Sequence, residues 1–258
     1  SRPVLAGLVD FEAAGLPEYA HCYAIVIDSL FPDPELTSIL SEAERQPWQV
    51  AQVNSGTIAF TNTSTYLQCL LNRIIHDSFE LSAQIFEKIR PHLSTIEEIE
   101  EPVSVYLRHS GRHIQAVQKW RMVRMNERLR FLRYPKGGFF RAHVDGCYEN
   151  EENGQRTFYT VQLYLPSDTS GSDESFKPAG GGSTRFWGEE VNNYADVEAL
   201  PGRVLIFQHD DLLHTGEKVK AGVKCAMRSD ILYEKVGGPV PVAEPDLPPP
   251  SYDADVRA

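Results

Sequence analysis

In the run FFRAHVDGCY, His143 and Asp145 stand two residues apart, so an extended chain sets both side chains on one face. One imidazole beside one carboxylate supplies two of the three ligands of a facial triad. Such a triad leaves positions open on iron(II) for a bidentate co-substrate and for oxygen. The triplet itself is short and arises by chance; His209-Asp210-Asp211 is a second instance. A third ligand has to come from elsewhere. The stretch GRVLIFQHDDLLHTG offers two histidines, His209 and His214, behind an apolar run that reads as a strand. Paired beside the first strand, it could return His214 to the His143/Asp145 end. A partly buried histidine with one hydrogen bond is the plainer reading of either.

The segment downstream of His214 favours it over His209. Lys224 lies ten residues on, in GVKCAMRSDILY, where alternation sets Lys224, Ala226, Arg228 and Asp230 on one face. Cations directed into a packed barrel need an anion, because an unpaired buried charge is costly. A dicarboxylate chelating the metal at one end would present its far carboxylate there, to the point charge of Lys224 or the planar fork of Arg228. Pairing with Asp230, or plain exposure, is the competing account.

The elements that must position these groups change character along the chain. Ala24 to Ile27 reads as a short strand leading to Asp33-Pro34, an N-cap with proline at the first helical position. Leu36, Ile39, Leu40 and Ala43 repeat at helical spacing up to Pro47, and a second helix is expected from Asp77 to Arg90. From about residue 126 short apolar or alternating runs recur between turn-rich stretches, the pattern of a β-sandwich or jelly roll. The fold expected is mainly β with flanking helices (α+β). Residues 1–120 form a mixed helical region packed on the barrel, 121–236 the core, and 237–258 a proline-rich acidic disordered tail. Pro166 to Gly182 is too long for an ordinary connection and reads as a mobile flap or disordered excursion.

Lys and Arg number 25 against 36 Asp and Glu, a formal net charge of −11. An acidic chain repels phosphate backbones and anionic lipid, so nucleic acid and membranes are not the expected partners. No apolar run approaches the roughly 20 residues that span a bilayer, and Ser1 to Asp10 has no signal-peptide layout. Cys22, Cys69, Cys147 and Cys225 form no CxxC pair, which fits reduced thiols and a cytoplasmic location.

Taken together, YPKGGFFRAHVD, GGGSTRF and PGRVLIFQHDDLLHTGEKVKAGVK resemble, in order, the core segments of the prolyl 4-hydroxylase-like branch of the iron(II)/2-oxoglutarate-dependent dioxygenases. The resemblance runs from Asn126 to Glu234. It implies a double-stranded β-helix (cupin-like jelly roll) and iron(II) on His143, Asp145 and His214. It also implies that Lys224 holds the distal carboxylate of 2-oxoglutarate, with Arg228 able to share that role and Tyr134 near the co-substrate. Family chemistry uses O2, releases succinate and CO2, and oxidises an unactivated C–H bond; ascorbate is the candidate reductant. The metal carries the hard chemistry and the protein positions it.

If Tyr134 points inward, alternation places Arg128 and Arg130 on the same face, an arrangement suited to a small carboxylate-bearing or amino-acid-like substrate. Ion pairing with acidic neighbours is the alternative. Peptidyl, prolyl-type hydroxylation is the runner-up function, and a non-catalytic jelly-roll binding protein the reading from another class. Trp187 is read as a core aromatic or, with the flap, as a closure over substrate.

Overall fold

The computed structural model describes residues 3–51, 69–108, 111–190 and 192–242. Its strands begin with β1 (Leu5–Leu8), β2 (Ala24–Asp28), β3 (Gln49–Val50), β4 (Cys69–Leu70), β5 (Asn72–Asp77) and β6 (Glu98–Leu107). Next come β7 (Arg112–Met125), β8 (Arg128–Tyr134), β9 (Phe139–His143), β10 (Arg156–Leu165), β11 (Gly180–Gly181) and β12 (Thr184–Trp187). The last are β13 (Tyr194–Val197), β14 (Val204–Gln208), β15 (His214–Gly216), β16 (Val219–Ala221) and β17 (Lys224–Pro241). Two α-helices, α1 (Asp33–Ala43) and α2 (Phe79–Ile89), accompany them.

Antiparallel pairing builds a larger sheet in the order β1-β2-β14-β10-β17-β8-β5-β3, with β7 bonded to the far half of β17 and β6 to β7. A smaller sheet runs β13-β12-β15-β9-β4. The apolar run VLIF explains how the layers stack. Val204 and Ile206 join a core with the faces of α1 and α2, while Leu205 and Phe207 join Phe186, Ala195 and Val197 of the smaller sheet. A strand covered on both faces needs no polar alternation, and β14 has none over its first four residues. The double-stranded β-helix expected from the sequence is the fold observed.

The helices form where the periodicity sets them, with shifted ends. Pro32, not Asp33, is the N-cap of α1; Asp33 sits inside the first turn, where its charge complements the helix dipole. Ser78 caps α2, its hydroxyl oxygen accepting from the Leu81 amide at 3.1 Å.

Three features depart from expectation. The barrel is not confined to residues 121–236: β2 pairs with β14 and β5 with β8, so N-terminal strands complete the larger sheet. The long β6–β7 hairpin has its own logic, because Ala116, Gln118, Trp120 and Met122 alternate onto a buried face. That hairpin also moves the expected tail boundary. Strand β17 runs on to Pro241 because β7 offers it partners, Val240 against Val117 and Pro241 against Ala116. The PDLPPP run lies outside the described residues. The long connection from Pro166 is tied down rather than loose: the Ser167 amide donates to the Ser175 carbonyl, Ser175 is buried, Phe176 packs on the helix-side core, and β11 pairs with β16.

Candidate metal centre and co-substrate pocket

Strands β9 and β15 are antiparallel neighbours with His143 directly opposite His214, so pairing register alone brings the two imidazoles together. Their ring centroids are 4.3 Å apart. Each Nδ1 faces a backbone carbonyl, His143 that of Arg141 at 2.8 Å and His214 that of Leu212 at 3.0 Å. A carbonyl only accepts, so Nδ1 carries the proton and the Nε2 lone pair is available to a metal in both rings. Phe140 lies against His143 and Phe207 against His214, with centroids at 4.3 and 4.8 Å, which holds the rings in place.

The sequence suggests one strand for His143 and Asp145; the chain instead leaves the sheet after His143. That exit lets the Asp145 carboxylate cross to the larger sheet. Oδ2 accepts from the Thr160 hydroxyl of β10 at 2.6 Å, and Oδ1 lies 2.9 Å from the Arg228 guanidinium of β17. Oδ1 is also 3.4 Å from His143 Nε2 and 3.9 Å from His214 Nε2. All three donors fall within 4.8 Å of one another. Metal bonds of about 2.0–2.2 Å to nitrogen and carboxylate oxygen fit such a spacing. Two neutral-donor imidazoles and one carboxylate are the donor set that suits ferrous iron.

Electrostatics support the same assignment. Burial alone would raise the Asp145 carboxyl, but the Arg228 guanidinium, with help from His143, His214 and Thr160, holds it well below the usual carboxylate range. Burial, reinforced by His143 and Arg228 against the opposing Asp145, lowers His214 to about 4, so its imidazole is neutral at physiological pH. His209, the competing histidine, is buried elsewhere, with Nε2 at 3.4 Å from Asp230. Burial would lower it, but Asp230 and Cys147 raise it to about 9.

Beside the triad lies a narrow pocket whose lining includes all three donors together with Tyr134, Lys224 and Arg228. Lys224 is buried, and its ammonium sits 4.8 Å from the Tyr134 ring centroid and 5.5 Å from that of Tyr164. Burial pushes it down to about 7 against a small opposing effect of Glu217. The GGGSTRF segment wraps around this lysine: a Cβ on Gly182, at φ +77°, would come within 3.3 Å of the Lys224 side chain. Thr184 forms a polar floor, with Tyr164 Oη at 2.8 Å and the Gln162 amide donating at 2.9 Å. Leu132, Phe140 and Phe207 supply the apolar walls.

Of the sequence candidates, His143, Asp145, His214, Lys224, Arg228 and Tyr134 therefore meet at one cavity. Arg228 is engaged by Asp145, so its geometry is that of a counter-charge to the triad carboxylate. Arg130 lies nearby, its guanidinium 3.1 Å from Asp230. Arg128 does not join them; it is exposed and forks onto Asp77 at 3.0 and 2.9 Å. It shares the inward face of β8, but that face has already passed the rim there. Trp187 donates to the Thr215 hydroxyl at 2.9 Å and stiffens a wall. Sequence reasoning missed Thr160, Gln162 and Tyr164, although their period-two spacing set two polar side chains and a phenol on one face of an apolar strand.

Residues 129–229 match the family model for the 2OG-Fe(II) oxygenase superfamily. A Pseudomonas putida prolyl-4-hydroxylase structure is similar at 13% identity and a TM-score of 0.50, over 84% of this chain and 97% of that one. The viral collagen prolyl hydroxylase of Paramecium Bursaria Chlorella virus-1 is 17% identical over 81% of this chain and 95% of that one, at a TM-score of 0.45. A Trichoplax adhaerens prolyl hydroxylase in complex with a hypoxia inducible factor peptide fragment is 12% identical over 86% and 90%, at 0.48. No curated protein matches the chain. The matched stretch contains the histidines, the carboxylate and the buried lysine just described, so residues 129–229 carry the features of a 2OG-Fe(II) oxygenase domain, the enzyme class that uses iron(II), 2-oxoglutarate and O2, on a fold similar to that of the Pseudomonas putida prolyl-4-hydroxylase.

Proposed function

We propose that this oxygenase oxidises an unactivated C–H bond of a small carboxylate-bearing or amino-acid-like molecule, with His143, Asp145 and His214 holding iron(II) and Lys224 anchoring 2-oxoglutarate. The observation that carries the assignment of roles is the Lys224 ammonium, buried in the pocket lining against aromatic rings and in no ion pair among the described residues. A dicarboxylate whose keto-acid end reaches the metal supplies the missing anion.

When bound, iron couples oxidative decarboxylation of 2-oxoglutarate to substrate oxidation: substrate C–H, O2 and 2-oxoglutarate become C–OH, succinate and CO2. The chain's own side chains do the rest. His143 and His214 present fixed Nε2 donors because backbone carbonyls occupy their other nitrogens. Arg228 and Thr160 orient Asp145 and keep it ionised. Tyr134 shields one side of the Lys224 ammonium, and Leu132, Phe140 and Phe207 exclude water, which strengthens the carboxylate–ammonium attraction.

For the substrate, the motivating feature is the cationic group beside the triad. Arg130 is only partly buried, and Arg228 Nε is buried without a hydrogen-bond partner among the described residues. Arg130, cross-strand from Arg228 and 3.1 Å from Asp230, is the group assigned to a substrate carboxylate in this reading. Succinate formation measured across free acids, amino acids and prolyl peptides tests the class. Arg130→Ala is expected to raise KM for the preferred acid about tenfold or more with a smaller change in kcat. An unchanged KM, or turnover of prolyl peptides alone, would replace this reading by a peptidyl one. A ferrous centre and the exposed Cys147 both suit a reducing, cytoplasmic setting, and the four cysteines are all unpaired.

A further inference from the structure

Away from the oxygenase pocket, three ligand-type side chains converge where the N-terminal segment meets the loop leading into His214. His21 Nε2 lies 3.7 Å from Cys22 Sγ and 3.9 Å from Asp211 Oδ2, and the three donors all fall within 4.8 Å of one another. In a tetrahedral zinc site, bonds of about 2.0 Å to nitrogen and oxygen and 2.3 Å to sulfur put N···S near 3.5 Å and N···O near 3.3 Å. The observed separations exceed these by about 0.2 Å for N···S and about 0.6 Å for N···O, within reach of two exposed side chains. An imidazole–carboxylate pair alone would account for His21 and Asp211 but not for a thiol within 4.8 Å of both.

We propose that His21, Cys22 and Asp211 form a second metal site, selective for a borderline-soft divalent ion such as zinc, with water completing the coordination. The mixed nitrogen, sulfur and oxygen donor set favours zinc over magnesium or calcium. Cys22 is half-buried on the Phe11/Phe186 core, so its sulfur is the fixed donor and the exposed imidazole and carboxylate close over it. Burial and the Asp211 carboxylate push the Cys22 thiol up to about 11, a cost to the thiolate that a cation at this point relieves.

The location gives the site a consequence. Cys22 adjoins Tyr23, whose amide donates to the Gln208 side chain at 2.7 Å, and Asp211 lies three residues before His214. The Leu213 amide donates to the Asp211 carbonyl at 3.0 Å, and the Trp187 amide to the Leu213 carbonyl at 2.9 Å. An ion here would tie the turn after Pro17–Tyr19 to the loop that delivers an iron ligand.

The test is anaerobic Co(II) titration of the reduced, metal-free full chain. Two equivalents are expected, one of them giving a near-ultraviolet thiolate-to-cobalt band. Cys22→Ser should lose that band and one equivalent, His21→Asn and Asp211→Asn should each weaken the site at least tenfold, and all three should keep the visible charge-transfer band formed with iron(II) and 2-oxoglutarate. Absence of a thiolate band in the wild type, or its survival in Cys22→Ser, overturns the proposal. So would cobalt affinity unaltered in both His21→Asn and Asp211→Asn. None of those results touches the triad, which the iron(II)/2-oxoglutarate band reports separately.

Discussion

Replacing Lys224 by methionine should make the ligand-free protein more stable at neutral pH while damaging co-substrate binding. In the folded chain burial holds the ammonium near 7, against 10.5 for an ordinary lysine. That difference of about 3.5 pH units corresponds to roughly 5 kcal/mol, at 1.36 kcal/mol per unit. Because the folded-state value is depressed, the cost is fully present below pH 7. It is relieved as pH rises from 7 toward 10.5, where the unfolded chain binds the extra proton, so stability climbs across that window. Methionine keeps the length of the chain without the charge, so Lys224→Met should unfold in urea with a higher free energy at pH 7 and lose much of that climb. Meanwhile 2-oxoglutarate affinity, read from the visible charge-transfer band under anaerobic conditions, should fall by about 2–4 kcal/mol, roughly 30- to 1000-fold. A variant less stable than wild type at pH 7, with an unchanged pH slope, would show that the ammonium is already satisfied in the free protein. Unchanged 2-oxoglutarate affinity would show that the anion binds elsewhere.

Alanine at His143, Asp145 or His214 should abolish ferrous binding and turnover with the far-ultraviolet circular dichroism kept; activity retained in His214→Ala but lost in His209→Ala would reassign the third ligand. Arg228→Leu leaves Asp145 buried without its counter-charge, so the metal-free protein should lose about 3–5 kcal/mol. Manganese(II), used as a redox-silent probe, should recover much of that loss; an equal Tm drop with and without it would mean Arg228 does not serve the carboxylate. Ser78→Ala should cost about 1 kcal/mol through loss of the α2 cap, measured by urea unfolding, with no change in KM.

Much of this architecture is legible in linear order because its signals are local. Val204 to Phe207, apolar at each position, requires cover on both faces, and the strand with helices on one side and a second sheet on the other provides it. Likewise, His143 opposite His214 needs only two strands in antiparallel register. What alternation cannot convey is where a strand stops. Asp145 reaches Thr160 and Arg228 because the chain leaves the sheet after His143, and no residue pattern marks that exit. Arg128 fails for the complementary reason: it shares the parity of Tyr134, but six residues along a strand is long enough to pass from the cavity to solvent, where Asp77 takes it. The extension of β17 past residue 236 was hidden because its cause lies in another segment, the length of β7.

The crossing of Asp145 from one sheet to the other has a mechanical side. Both imidazoles are rooted in the smaller sheet, whereas the carboxylate is moored to the larger one through Thr160 and Arg228. An ion gripped by all three would act as a rivet through the sandwich, resisting any hinge-like parting of its two halves. Loading the centre should therefore slow amide exchange in β9 and β15 well beyond the residues that touch the metal, and stripping it should let that side of the barrel breathe.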